Sequence, residues 1–469
     1  MRRLLVLGLD SVPAGFAFDR YIDRMPHLKA LVARSPHGTL RTVDPPITVP
    51  AWAVMFSGVD PGTLGIYGFR HRKPGTYQTM YTPTSTMIPY PPLWDLLSRA
   101  GRRVAVIGMP PGYPPPHVNG VYVSDFLTPD SAKDFVYPAS LIPEIQATAS
   151  GEYQFDVTFR AEDRDRVERE VFEMTRRRFA VARHLWAKER WDFFALHEIG
   201  PDRIHHAFWK YFDETHPRYV RDSPYNSVAD RYYALLDEEI GRFLEAVPDD
   251  VLVWVASDHG SQAMDGCFCI NQWLIENDYL RLKGPMPPAG TPLEAVPVDW
   301  AHTRVWGSGG YYARLFFNVR GREPEGIVDR KDLPTLTDEL RARLGAVVRP
   351  DGRPLDAELL DPARIYHQVR GDAPDLMGYF GKLRWRSAGT IGHPSLFLAE
   401  NDTGPDDSVH SMDGFFVLYD AKDGSHAGRL PEQSILDVAP TLLTRLGMPV
   451  PAHMQGKPIA ALTTSRPPG

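Results

Sequence analysis

Cysteine, basic charge and long apolar runs are all scarce in this chain. Its 469 residues hold only two cysteines, Cys267 and Cys269, one residue apart. That spacing suits neither a disulfide framework nor the C-x-x-C of redox and zinc motifs, and it points to a reducing, cytoplasmic setting. No stretch approaches the roughly 20 uncharged apolar residues that a membrane-spanning helix needs, so no membrane span is expected. The opening Met1-Arg2-Arg3-Leu4-Leu5-Val6-Leu7-Gly8-Leu9-Asp10 starts like a secretory signal, but Asp10 interrupts the apolar run, which reads instead as a buried strand. A net charge of -7 and a pI near 6.2 leave no basic face for duplex nucleic acid. Any phosphate this protein meets is handled locally. Internal repeats and low-complexity tracts are also absent.

What is present is a hydrophobic content of 43%, enough for one large core or two ordinary ones. Several short, nearly all-apolar runs are each followed by a polar turn and a helical pattern, as parallel strands buried on both faces require. Leu4 to Leu9, Arg103 to Ile107, Trp191 to Leu196 and Val251 to Ala256 are the clearest strands. Pro92 to Arg99, Asp163 to Lys188 and Ser227 to Ala246 have the length and amphipathicity of helices, and a short helix is expected after Ser434, ending near Gly447. The alternation predicts an α/β fold: a mostly parallel central sheet with helices on both faces. Residues 126–165 and 283–364 break the pattern and read as insertions forming caps or edge ribbons on a single catalytic domain spanning 1–469. The 44 prolines gather in loops such as Asp44-Pro45-Pro46 and Tyr113-Pro114-Pro115-Pro116, which are expected to be rigid.

Ligands of an open α/β sheet collect beyond the carboxyl ends of its strands. Three apolar runs here are followed by metal-binding chemistry: Asp10 after the first, His197-Glu198 through Asp202 to His206 after the second, and Ser257-Asp258-His259-Gly260 after the third. Asp202 and His206 are four apart, which places both on one helix face. Asp258 and His259 could both enter the cleft from a sharp turn, and His410 is a further candidate. Mixed Asp and His ligation suits Zn²⁺, Mn²⁺ or Fe better than Ca²⁺ or Mg²⁺. Taken singly, an Asp after a strand is more often a helix cap or turn former than a ligand, and a lone His410 in a polar loop is ordinarily just exposed. It is their convergence that predicts a metal site.

Thr48 lies at the start of a helical stretch, Thr48-Val49-Pro50-Ala51-Trp52. It reads either as an N-cap or as a hydroxyl placed where helix N–H groups favour a phosphate, and a nearby metal would make it a usable nucleophile.

With these motifs in order, the chain resembles the alkaline phosphatase superfamily, specifically its type I phosphodiesterase and nucleotide pyrophosphatase branch. The resemblance rests on Gly8-Leu9-Asp10-Ser11, Pro46-Ile47-Thr48-Val49-Pro50-Ala51-Trp52, Gly200-Pro201-Asp202 through His206, Ser257-Asp258-His259-Gly260, His410 before Gly414, and the tail Asp437-Val438-Ala439-Pro440-Thr441. It implies an alkaline-phosphatase-like fold and two divalent ions, usually Zn²⁺. One ion would be held by Asp202, His206 and His410, the other by Asp10, Asp258, His259 and Thr48. It further implies a covalent phospho-threonine on Thr48 and small phosphodiester or nucleotide-like substrates. The branch carries an asparagine three positions after the threonine, where this chain has Ala51. Trp52 and Arg304 are candidate replacements for that phosphoryl contact, with Arg384 and Arg386 as further arginines. Phosphomonoesterase or phosphomutase chemistry on the same scaffold is the alternative, and a non-catalytic metal-binding protein a more distant one. Sulfatases of this fold need a cysteine or serine converted to formylglycine in a C-x-P-x-R-type motif, and the lack of a cysteine near Thr48 argues against that chemistry.

Overall fold

The computed structural model describes residues 2–423 and 427–463. Arg3–Leu9 forms a strand buried along its whole length. Its alternate side chains supply both faces of a sheet: Leu5, Leu7 and Leu9 enter one apolar cluster, Leu4 and Val6 the other. Truncating any one of these leucines to alanine would cost about 2–5 kcal/mol. The strand runs parallel to Phe193–Glu198 on one side and Val251–Ala256 on the other. Val104–Ile107 and Gly120–Val123 extend the parallel run. On the opposite side Asp413–Tyr419 inserts antiparallel between Val251–Ala256 and Pro36–Arg41. The whole sheet has ten strands.

Helices cover both faces, as the alternating pattern predicts. Arg164–Lys188, Gly200–Phe212 and Val228–Leu244 bury Val171, Phe208 and Tyr232 against one face. Thr48–Ser57, Leu93–Arg99 and Val438–Arg445 bury Trp52, Trp94 and Leu442 against the other. Gly8 permits one of these contacts, because a Cβ there would stand 2.5 Å from the Trp52 ring. Trp52 thus lies directly on the first strand.

A second, seven-stranded sheet is built later in the chain. Val305–Ser308, Ala313–Phe317 and Ala357–Leu360 come from the 283–364 stretch. They join Gly266–Cys269, Leu376–Phe380, Trp385–Ala388 and Phe397–Leu398, and Leu333–Gly345 packs its Leu336, Leu340 and Leu344 into the same cluster. The earlier stretch, 126–165, holds the short strand Val136–Tyr137, pairing at the edge of the main sheet, and the helix Ile142–Thr148. Among the described residues no helix is long and apolar enough to cross a membrane.

Candidate active site

Three strands of the main sheet end level, with Leu9 opposite Glu198 and Gly8 opposite Ala256. The residues that follow them therefore emerge side by side. Asp10 leaves the first strand into a turn where Ser11 adopts a left-handed φ of +66°, a strained conformation for a residue with a Cβ. Asp202 sits in the first turn of Gly200–Phe212, with His206 one turn on. Asp258 and His259 follow the third strand. His410 arrives from far along the chain, because Ser408–Ser411 pairs antiparallel with Gly260–Ala263 and sets His410 opposite Ser261. The His410 and His259 rings stack at 4.0 Å.

Two ligand groups result. His206 Nε2 lies 3.3 Å from Asp202 Oδ1 and 3.2 Å from His410 Nε2, and the latter is 3.7 Å from Asp202 Oδ1. His259 Nε2 lies 3.3 Å from Asp258 Oδ2 and 3.7 Å from Asp10 Oδ1. Ligands on one ion at ~2.0–2.1 Å in a tetrahedral shell stand about 3.3 Å apart. His259 borders both groups: one atom each from Asp202, His259 and His410 falls within 4.8 Å of the others, and so it does for Asp10, Asp258 and His259. All seven residues expected to hold metal, Thr48 included, are buried.

The donor chemistry fits two divalent cations. Among the described residues Asp202 Oδ1 and Asp258 Oδ2 are buried with no hydrogen-bond partner, a costly state for a carboxylate without a cation. Each imidazole has its Nδ1 engaged: His410 on the Pro46 carbonyl at 2.7 Å, His259 on the Gly260 carbonyl at 3.0 Å, and His206 on Asp406 Oδ1 at 2.7 Å. An Nδ1–H donating to these acceptors leaves the Nε2 lone pair facing the ligand group. Charge is crowded here. Burial, then the charge of Asp10, pushes the Asp258 carboxyl well above the usual range. Burial also raises that of Asp202, but His206 and Arg203 outweigh it and hold it well below. Burial and the neighbouring His259 hold His410 down.

Thr48 is the first residue of the helix Thr48–Ser57, and the extended residue Ile47 precedes it as the cap position. Its side chain makes no cap bond. Instead Thr48 Oγ1 lies 3.1 Å from His259 Nε2 and donates toward Asp10 Oδ1 at 3.4 Å. The other oxygen of Asp10 accepts the Trp52 indole N–H at 2.9 Å and faces His197 Nε2 at 2.7 Å. Those two contacts turn Oδ1 toward Thr48 and His259.

Both expected substrate contacts have other partners. The Trp52 N–H is spent on Asp10 and has no hydrogen left for a phosphoryl oxygen. Arg304, just before the strand Val305–Ser308, pairs with Glu339 at 3.3 Å and lies over the Tyr279 ring. Arg384 pairs with Asp265, and Asn271 is taken up by the Gly307 and Gly389 carbonyls. His205 turns into the core against the Tyr233 hydroxyl.

Four residues beside the ligands were less legible. Asp406 binds His206, Arg160 and Arg386 at once, at 2.7, 2.9 and 2.7 Å, and Tyr311 stacks on His410. The acidic pair Asp406-Asp407 just before His410 was one local hint, and Arg386 stood among the further arginines expected at the phosphoryl group; Arg160 and Tyr311 carry no local signal.

A family model described as type I phosphodiesterase / nucleotide pyrophosphatase matches residues 4–413. No curated protein matches the chain by sequence. Among solved structures, human ectonucleotide pyrophosphatase / phosphodiesterase 5 is 13% identical with a TM-score of 0.57, and 97% of each chain is covered. The murine protein aligns over 96% of this chain and 97% of its own, at 14% identity and a TM-score of 0.55. Its inactive threonine-to-alanine form in complex with AMP gives 13% identity, 97% of each chain and 0.55. The fold is thus the alkaline-phosphatase-like α/β architecture. The cytoplasmic setting expected from the cysteine count is overturned, since these three similar structures are of proteins named as ecto-enzymes. The physical reason is size: a chain that buries cores this large needs no disulfide staples, so few cysteines do not report on redox compartment.

Proposed function

The chain belongs to the type I phosphodiesterase / nucleotide pyrophosphatase family, and from that premise we propose that it cleaves phosphodiesters or nucleotide pyrophosphates through a covalent phospho-threonine on Thr48. Its general activity is that family's: metal-coordinating hydrolysis of small phosphate-containing substrates. One observation carries the finer reading. The buried Thr48 hydroxyl turns away from its helix end and toward His259 and Asp10.

In this reading the hydroxyl proton faces the Asp10 carboxylate, and Oγ1 forms the new bond to phosphorus as the bond to the leaving oxygen breaks. The leaving group departs with that electron pair. Water then attacks phosphorus, the P–Oγ1 bond breaks, and Thr48 regains its proton. Asp202, His206 and His410 would hold one divalent ion and Asp10, Asp258, His259 and Thr48 the other, with Zn²⁺ proposed and Mn²⁺ or Fe compatible. Such ions, when bound, neutralise phosphoryl charge and lower the pKa of an attacking hydroxyl. The inactive threonine-to-alanine relative with bound AMP supports both the nucleophile and a nucleotide-like substrate. We read the chain as one catalytic unit, with 126–165 and 283–364 contributing caps. Phosphomonoester hydrolysis is a second reading, favoured by Arg160 and Arg386 beside His206.

Elemental analysis of purified protein, with hydrolysis of bis-p-nitrophenyl phosphate and p-nitrophenyl phosphate by wild type and Thr48→Ala, tests this. Loss of turnover in Thr48→Ala with metal still bound is expected; undiminished turnover would sink the covalent step.

A further inference from the structure

We infer that the Tyr311 phenol binds a non-bridging oxygen of the phosphoryl group, and that Arg160 and Arg386 hold it in place for that task. The inference rests on the phosphoryl-transfer reading above and adds a substrate contact to it. Tyr311 precedes the strand Ala313–Phe317 of the second sheet, and its ring lies on the His410 ring at 4.1 Å and 23°. The phenol oxygen stands 3.2 Å from His206 Nε2, at the edge of the first ligand group. Arg160 Nη2 donates to that oxygen at 3.1 Å, and the Arg386 guanidinium lies over the ring at 4.3 Å. Arg160 and His206 therefore meet at the hydroxyl, while Arg386 and His410 cover the ring.

Donor bookkeeping narrows the choice. Residue 51 is alanine and offers nothing, the Trp52 N–H belongs to Asp10, and the imidazole Nδ1 atoms are engaged. Because the phenol oxygen already accepts from Arg160, its own hydrogen points elsewhere. The neighbouring acceptor is the His206 Nε2 lone pair, which metal coordination would claim. The O–H is then free to donate to an oxygen above the ligand group.

Charge points the same way. Asp406 is the carboxylate shared by Arg160, Arg386 and His206. Two guanidiniums against one carboxylate leave positive charge beside the phenol, and Arg386, 4% exposed at its side chain, keeps an Nε without a partner among the described residues. A buried positive excess next to a hydroxyl donor is suited to an anionic oxygen.

The test is inorganic phosphate binding to the metal-loaded protein, followed by calorimetry, with metal content measured on each sample. Tyr311→Phe keeps the ring stacked on His410 and removes only the hydroxyl. Phosphate affinity is expected to fall about 10–100-fold, the worth of one charge-assisted hydrogen bond, with metal content unchanged and kcat/KM for the p-nitrophenyl ester falling in step. Arg160→Met leaves the phenol but frees it, and roughly 3–10-fold weaker phosphate binding is expected. Unchanged phosphate affinity in Tyr311→Phe would overturn the inference, and so would loss of metal from that variant, which would make Tyr311 a ligand instead. If Tyr311→Phe does not fold, unchanged affinity in Arg160→Met overturns it. A wild type that binds phosphate but hydrolyses no ester would defeat the phosphoryl-transfer reading while leaving the phosphate comparison intact.

Discussion

His206 Nδ1 lies 2.7 Å from Asp406 Oδ1, a contact that fixes which nitrogen of the ring faces Asp202 and His410. A carboxylate behind a ligating imidazole sets its tautomer and raises its basicity. Asp406→Asn, which keeps the shape and loses the charge, is therefore expected to weaken binding of the ion held by His206 by about 10–100-fold. Chelator competition monitored by metal release measures this directly, and affinity within twofold of wild type would remove the role.

Asp258 presents an unpartnered buried oxygen 3.3 Å from His259 Nε2. The expected result for Asp258→Asn is loss of one of two bound ions on elemental analysis, with turnover falling by at least about 100-fold, as befits loss of half of a two-ion clamp. Two ions retained would count against the assignment of this ligand.

His71 gives a pH dependence away from the metal site. It is buried, accepts the Tyr67 N–H at 2.8 Å, and burial, aided by the charge of Arg314, pushes its pKa from 6.5 down to about 4. Between those values the unfolded chain binds more protons than the folded one, so the neutral ring's contribution is complete above pH 6.5 and is lost as pH falls toward 4. The full swing is on the order of 3 kcal/mol. In urea unfolding, the stability advantage of wild type over His71→Asn should shrink between pH 7.5 and pH 4.5. An advantage that stays constant would show that His71 does not titrate in this window.

Arg304 sits in a half-exposed pair with Glu339, an arrangement worth about 0–1 kcal/mol. Arg304→Ala should leave kcat and KM within about twofold of wild type and lower stability by no more than that amount. A large rise in KM would return Arg304 to the substrate site.

The parts of this molecule that sequence reveals are those governed by short-range rules. Buried parallel strands need unbroken apolar runs, and the ligands follow directly from their ends, so Asp10, Asp202, His206, Asp258 and His259 could be picked out by position. His410 could be named but not placed, because its neighbour is decided by a strand pairing to Gly260–Ala263. Trp52 was noticed for its N–H, yet only the close packing on Gly8 determines that Asp10 receives it. Arg304 and Arg386 look alike in sequence. Pairing of Gly266–Cys269 with Trp385–Ala388 brings Arg386 to Asp406, while Arg304 is held at Glu339. The second sheet was read as ribbons because its partners are far apart along the chain.

Ser408–Ser411 completes the ligand set from near the end of the chain, and Asp413–Tyr419 fills the gap between Val251–Ala256 and Pro36–Arg41. Asp10 and His410 are 400 residues apart, so on the ribosome His410 emerges well after Asp10. At roughly 5–20 residues per second that interval is tens of seconds, during which the nascent chain has no complete first ligand group. An ion held by that group would be in place only after synthesis has passed His410.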